Sequence, residues 1–167
     1  MPEAMTEEAL FEMLALECRV DSDGDVYYHN AQGQLHRVHG PAIEYTNGGR
    51  EWWQNGQRHR LDGPAVEWTD EYHAWFDNGL PHRMGGPAVE HADGTYMWYQ
   101  NGQLHRLNGP AVKRADGYRA WYKNDLLHRL DGPAVERPCG SCNWFIDDNL
   151  LTEAEWRQAV GSMRPYD

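Results

Sequence analysis

The apolar positions of this chain recur in blocks. Trp stands at Trp52, Trp75, Trp98, Trp121 and Trp144, and a second aromatic follows each one: Trp53, Phe76, Tyr99, Tyr122 and Phe145. His-Arg starts at His36, His59, His82, His105 and His128, and Gly-Pro-Ala starts at Gly40, Gly63, Gly86, Gly109 and Gly132. The interval is 23 residues in every case. A fixed period of this size is the signature of a repeat array, in which each unit buries its apolar face against its neighbours.

The polar positions say what each unit is. Asn55-Gly56, Asn78-Gly79 and Asn101-Gly102, with Asp93-Gly94 and Asp116-Gly117, lie between aromatic and β-branched residues. Such pairs predict two-residue type I′ turns, which need φ > 0 at both centres. Two turns per unit predict two strands per unit in an antiparallel meander. One strand is short, as in Tyr96–Tyr99, and the other is long and bent, running from Gln103 past Gly109-Pro110 into Ala111-Val112. Pro cannot donate to a ladder, so Gly-Pro should be a bulge or corner. A corner in every second strand would curve the sheet. The first unit is irregular: Tyr27-Tyr28-His29-Asn30 stands in the place of Trp-aromatic-x-Asn, with Ala31 and Gln32 as extra residues before Gly33. A truncated sixth unit begins at Trp144.

The ends differ in kind. Thr6 precedes an acidic first turn and an apolar run, which predicts a helix over about residues 7–18. Thr152-Glu153-Ala154-Glu155 matches a capping box ahead of Trp156 and Val160, a second short helix. The expected organisation is an acidic N-terminal arm (1–22), a β-repeat array (23–147) and a C-terminal capping helix and tail (148–167). The fold class is all-β: about five stacked hairpin repeats in one curved sheet with a short helix at each end.

Composition alters this picture in one respect. Leu, Ile, Val and Phe together number 26 of 167 residues, and the net charge is −11, a combination typical of disorder. Eight Trp and nine Tyr argue for a folded chain with an aromatic core. The charge is also unevenly placed: −7 over residues 1–25, −1 over 26–138 and −3 over 139–167, with all nine His in the middle stretch. No basic excess marks a nucleic-acid binder. The three Cys argue against a disulfide scaffold and suit a reducing compartment. With no long apolar run or basic-then-apolar leader, the expected location is the cytoplasm, away from membrane.

The string Tyr99-x-x-Gly102-x-x-His105, followed by Asp116-Gly117 at a 23-residue period, resembles the MORN (membrane occupation and recognition nexus) repeat and its bacterial and phage variants. The resemblance covers about residues 23–147. The family's Gly after His is Arg here (Arg37, Arg60, Arg83, Arg106, Arg129), and Gly-Pro-Ala replaces the next Gly two residues late. The variant looks like those of phage-encoded and toxin-antitoxin proteins. The resemblance implies stacked β-hairpins that serve as a binding surface. Lipid binding is not implied, because no polybasic run exists.

The candidate site residues are the repeated columns. Trp52, Trp75, Trp98 and Trp121 are candidate anchors; Arg60, Arg83, Arg106 and Arg129, with His59, His82, His105 and His128, are candidate orienting groups. The Arg column can form an internal ladder with Asp62, Asp131, Glu44, Glu67, Glu90 and Glu136, or a row of forks for an anionic surface. Adjacent His and Arg in a strand would face opposite ways. The Trp column is either covered, if the sheet closes on itself, or open as a partner platform. One His column cannot share a metal unless the chain coils with one rung per repeat, since equivalent positions in a flat meander lie about 10 Å apart. Cys139-Gly140-Ser141-Cys142 falls in a turn, and Asp21-x-Asp23-Gly24-Asp25 lacks the calcium-loop spacing and reads as a turn.

No nucleophile elbow, phosphate loop or zinc-protease helix occurs, and the polar groups repeat where a catalytic site would converge them. The expectation is a non-catalytic interaction protein without cofactor. It would bind a protein partner, basic or itself nucleic-acid-binding, through one face of the sheet, as an inhibitor or antitoxin-like factor acting by occlusion. The acidic arm would engage that partner's basic surface. The alternatives are a binder of an anionic or nucleotide ligand in an aromatic and Arg groove, and a structural module that assembles with itself.

Overall fold

The structure is a computed structural model that describes residues 16–69 and 71–163. It is an all-β antiparallel meander of thirteen strands, with short accessory hairpins and one helix, α1 (Glu153–Met163), among the described residues. The chain divides into two compact units, Met1–Leu80 and Pro81–Asp167.

In the first unit, Glu17–Val20 pairs with Val26–His29, which pairs with Ile43–Glu44. Arg50–Glu51, Val66–Trp68 and Tyr72–Ala74 follow in order. In the second, Val89–His91, Tyr96–Met97, Val112–Lys113, Arg119–Ala120, Val135–Glu136, Cys142–Ile146 and Asn149–Leu151 continue the same pattern. The expected N-terminal helix lies mostly outside the described residues. Its last two positions, Glu17 and Cys18, are in a strand, because Cys18 pairs with Tyr28.

Three local expectations are corrected. The long bent strand does not exist: Gln103–Leu104 pairs back on Tyr99–Gln100 as a separate hairpin, and the chain then loops through Gly109-Pro110 before Val112–Lys113 joins the sheet. The Gly-Pro step is therefore a corner between elements. The Asp-Gly turns are not type I′, because Asp93 and Asp116 do not take positive φ, whereas Gly94 and Gly117 do, at 83° and 94°. His91 and Arg114 instead bond the N–H groups of Gly94 and Gly117, a type I turn closed by a left-handed Gly. In the first repeat, Tyr28 and not Tyr27 takes the Trp position: Tyr28 N–H donates to Ala42 O as Trp52 N–H does to Ala65 O.

The Asn-Gly turns are as expected, with Asn55 at φ 50° and Gly56 at φ 76°. The same turn forms at Asn124-Asp125, where Asp125 takes φ 66° without being Gly. Its carboxylate accepts the N–H of Leu104 at 2.7 Å, a bond from the preceding repeat that offsets the backbone cost. Asp148 does the same for Leu127 N–H at 2.6 Å.

Alternation puts Val112 and Ala120, which pair directly, on one face, and Ala111 and Trp121 on the other. On the first face Val112, Ala120 and Val135 are buried under Met97, Leu104, Tyr122, Leu127 and Phe145, so the accessory hairpins roof the sheet there. Ala42, Ala65, Ala88, Ala111 and Ala134 of Gly-Pro-Ala are fully buried. Among the described residues the largest fully buried side chain is Val66. The core is thus made of Ala, Val and half-buried rings, which is why the aliphatic count is low in a folded chain.

Helix α1 starts with the expected capping box: Thr152 N–H donates to Glu155 Oε2 at 2.8 Å, and Glu155 N–H to Thr152 Oγ1 at 3.3 Å. Its buried Trp156 lies 4.5 Å from the Trp144 ring and donates its indole N–H to Arg129 O at 2.8 Å. The truncated sixth unit has no Arg to lay on its Trp, and Trp156 takes that place.

Candidate interaction surface

The motif Arg-x-x-Gly-Pro-Ala builds one object. Arg60 turns back over its own repeat until its guanidinium lies 3.9 Å above the Trp52 ring. Nη1 donates to Pro64 O at 3.0 Å and to Glu67 Oε1 at 2.7 Å, and Nε donates to Asp62 at 2.9 Å. A Cβ at Gly63 would stand 2.7 Å from Arg60 Cζ, so the Gly of the motif leaves room for the guanidinium. Arg129 repeats every element over Trp121, with Pro133 O, Glu136 and Asp131. Arg37 lies 3.9 Å over Tyr28 and pairs with Glu44, and Arg83 pairs with Glu90. The planar, weakly hydrated guanidinium suits a ring face better than an ammonium does.

The Trp column is therefore neither enclosed by closure of the sheet nor bare: Arg60, Arg106 and Arg129 lie on Trp52, Trp98 and Trp121. Trp75, half-buried as well, tilts against His73 at 6.5 Å. The Arg column is the expected internal ladder at Arg37, Arg60, Arg83 and Arg129. The Arg60 guanidinium holds the Asp62 carboxyl below the usual carboxylate range.

The His column ties successive repeats together. Nδ1 of His36 and His59 accepts the N–H of Asn55 and Asn78, and Nδ1 of His82 and His105 accepts the N–H of Asn101 and Asn124, at 3.0 to 3.2 Å. His128 Nδ1 stands 2.7 Å from Asp147 Oδ1. Each imidazole thus braces the two-residue turn of the next repeat, beside bonds such as Gly56 N–H to Leu35 O and Gly102 N–H to Pro81 O. His105 Nδ1 also lies 2.7 Å from Asn124 Oδ1, and His59 Nδ1 lies 3.1 Å from Asp77 Oδ1, so the column's polar contacts are made within the repeat array.

Sequence reasoning missed two features. The first is the residue after each His-Arg. In the first unit Val38 and Leu61 are 43% and 82% exposed, and in the second Met84, Leu107 and Leu130 are 77%, 75% and 41% exposed. Val38 and Leu61, and Leu107 and Leu130, rim open grooves whose floors are Arg–Trp stacks. One groove of about 540 Å³ runs between the Val38 to Pro41 loop and the Arg60 to Asp62 loop over Trp52. Another of about 540 Å³ lies between the Arg106 to Gly109 loop and the Arg129 to Asp131 loop over Trp121. A column that is apolar at every repeat and flanked by charge was legible as a pattern.

The second is Glu51, only 2% exposed, at a position filled by Ala74, Met97 and Ala120 in later repeats. It pairs with Arg58 Nε at 3.1 Å and accepts the Trp53 indole N–H at 2.9 Å and the Tyr45 hydroxyl at 3.3 Å. Burial, with the Glu51 carboxylate alongside, pushes the Tyr45 phenol up to about 12. Tyr45 also stacks on Trp68 at 4.7 Å. The irregular residue in the repeat marked this polar core.

Cys18, Cys139 and Cys142 are free and exposed. The Ser141 hydroxyl, 3.1 Å from Cys139 Sγ, lowers that thiol's pKa. No three metal-ligating side chains converge among the described residues, and no helix there is long and apolar enough to cross a membrane. The chain matches no protein-family model and no curated protein.

Proposed function

We propose that this chain is a MORN-like, non-catalytic interaction protein that binds a partner protein through the Arg–Trp side of its repeats. The observation that carries the reading is the recurring exposed apolar residue at Val38, Leu61, Met84, Leu107 and Leu130, of which all but Met84 line grooves with an aromatic floor. Soluble surfaces scatter large apolar residues singly, whereas one at the same point of each repeat is a built feature. Covering each fully would stabilise a complex by about 1.5–3 kcal/mol before ordering costs. Binding would act by occlusion, the mode of a phage or bacterial inhibitor or antitoxin-like factor, and would take place in the cytoplasm.

Sequestration of a nucleotide along the Arg column is the weaker reading, because four of the five forks already hold a glutamate of this chain. Affinity capture from the native host with wild type and with Leu61→Glu/Leu107→Glu, compared by mass spectrometry, tests the proposal. Both positions lie in solvent, so the variant should keep its melting temperature and lose the partner. A partner retained by the folded variant overturns the reading, and a rise in melting temperature with millimolar nucleotide alone supports the groove alternative.

A further inference from the structure

One repeat lacks the ladder that the others share. Glu44, Glu67, Glu90 and Glu136 occupy equivalent positions, and Lys113 stands at the fifth. Asp62 and Asp131, which hold Nε of Arg60 and Arg129, correspond to Asn108. Arg106 is therefore left with Pro110 O at 3.1 Å and the Trp98 ring at 3.8 Å, and among the described residues no carboxylate pairs with it. The stretch Arg106, Asn108, Lys113 carries +2, where Arg60, Asp62, Glu67 and Arg129, Asp131, Glu136 each carry −1. In a chain of net charge −11 this is a concentrated exception.

The surroundings keep the two cations unneutralised. Lys113 is exposed and pairs across the sheet with Tyr96 on one side and Arg119 on the other. Its Nζ lies 6.0 Å from the Tyr96 ring. The near carboxylates are engaged elsewhere: Glu90 with Arg83, and Glu136 with Arg129 at 2.8 Å and Arg119 at 3.7 Å. Burial without a counter-ion also lowers the Arg106 pKa. Leu107 stands beside the site, 75% exposed.

We infer that Arg106 and Lys113 form a carboxylate-binding site, filled by an acidic side chain of a partner protein whose neighbouring apolar residue covers Leu107. The inference rests on the proposed interaction role and names the chemistry of its partner. What the site takes can be read from the chain itself, since four repeats hold the equivalent guanidinium against a glutamate carboxylate, and at Arg37, Arg60 and Arg129 it also lies on an aromatic ring. The partner supplies the missing copy. The apolar rim at Leu107 favours a peptide segment over a polyphosphate, which offers nothing to cover it.

The test titrates the full chain with an acetylated, amidated Leu-Glu peptide, following the Arg106 side-chain N–H signals and the Trp98 indole signal by NMR. Wild type should show saturable shifts that weaken with salt. Lys113→Glu restores the consensus of the other repeats, so it should fold at least as well and bind the peptide about tenfold or more weakly. Equal binding by wild type and Lys113→Glu, or no shift at millimolar peptide, overturns the site. Stronger displacement by inorganic phosphate or an oligonucleotide than by free glutamate overturns the assignment to a carboxylate. Failure here leaves partner capture through Leu61 and Leu107 intact, whereas a partner retained by those variants would sink the wider reading and leave the peptide result standing.

Discussion

The guanidinium of Arg129 lies 3.7 Å above the Trp121 ring and bonds Pro133 O and the Glu136 carboxylate at once. One side chain thus joins the strand, the Gly-Pro corner and the Trp face of its repeat. Arg129→Ala should cost about 1–3 kcal/mol in urea unfolding, from the lost stack and charge-assisted bonds. Arg129→Lys should recover less than half, because an ammonium keeps the charge and loses the planar fork.

Glu51 and Arg58 form an ion pair where later repeats place Ala120 and Leu127. Glu51→Ala should destabilise by about 1–2 kcal/mol, since it leaves the Trp53 indole N–H and the half-buried Arg58 without their carboxylate. Glu51→Ala/Arg58→Leu, which copies the apolar pair, should recover most of that loss. A double-mutant cycle in denaturant measures the coupling, and additive losses would show that the pair is not a unit.

Tyr45 gives the first unit a sensitivity to base. Its phenol is pushed up to about 12 by burial and then by Glu51, so the folded chain keeps a proton that the unfolded chain releases above about pH 10. The contribution is full below about pH 10 and is lost as pH rises toward 12. Stability measured by circular dichroism across this window should fall less steeply in Tyr45→Phe than in wild type.

Asp125 sits at φ 66° and accepts Leu104 N–H. Asp125→Ala loses the bond and keeps the backbone strain, for about 1–2 kcal/mol. Asp125→Gly loses the bond and relieves the strain, so it should melt above Asp125→Ala. The reverse order would show that the turn's backbone is not the limiting term.

The 23-residue period, the Asn-Gly turns, the capping box at Thr152 and the all-β class were legible because each depends on neighbours along the chain. The Asp-Gly turn type was not, since Asp93 and Asp116 permit either turn and the strand register chose the three-residue loop. The long strand failed at Gly-Pro, where nothing local says that Gln103–Leu104 folds back on Tyr99–Gln100. In the first repeat the spacing to Asn30 puts Tyr27 at the Trp position, whereas the bond from Tyr28 N–H to Ala42 O gives that place to Tyr28.

By itself the sequence determined what repeats: the residue types in each column, their interval, and the odd members Glu51, Asn108 and Lys113. Only the tertiary structure decided which columns meet. Arg60 reaches Trp52 because the Gly63 corner brings it back eight positions along its own repeat, and His59 reaches Asn78 because stacking sets the next turn beside it. Side-chain pairing across a fold depends on distance in space, and periodicity fixes only distance along the chain. That is why a single Lys in place of Glu reads as an ordinary surface change in sequence and as an unfilled carboxylate position in the folded repeat.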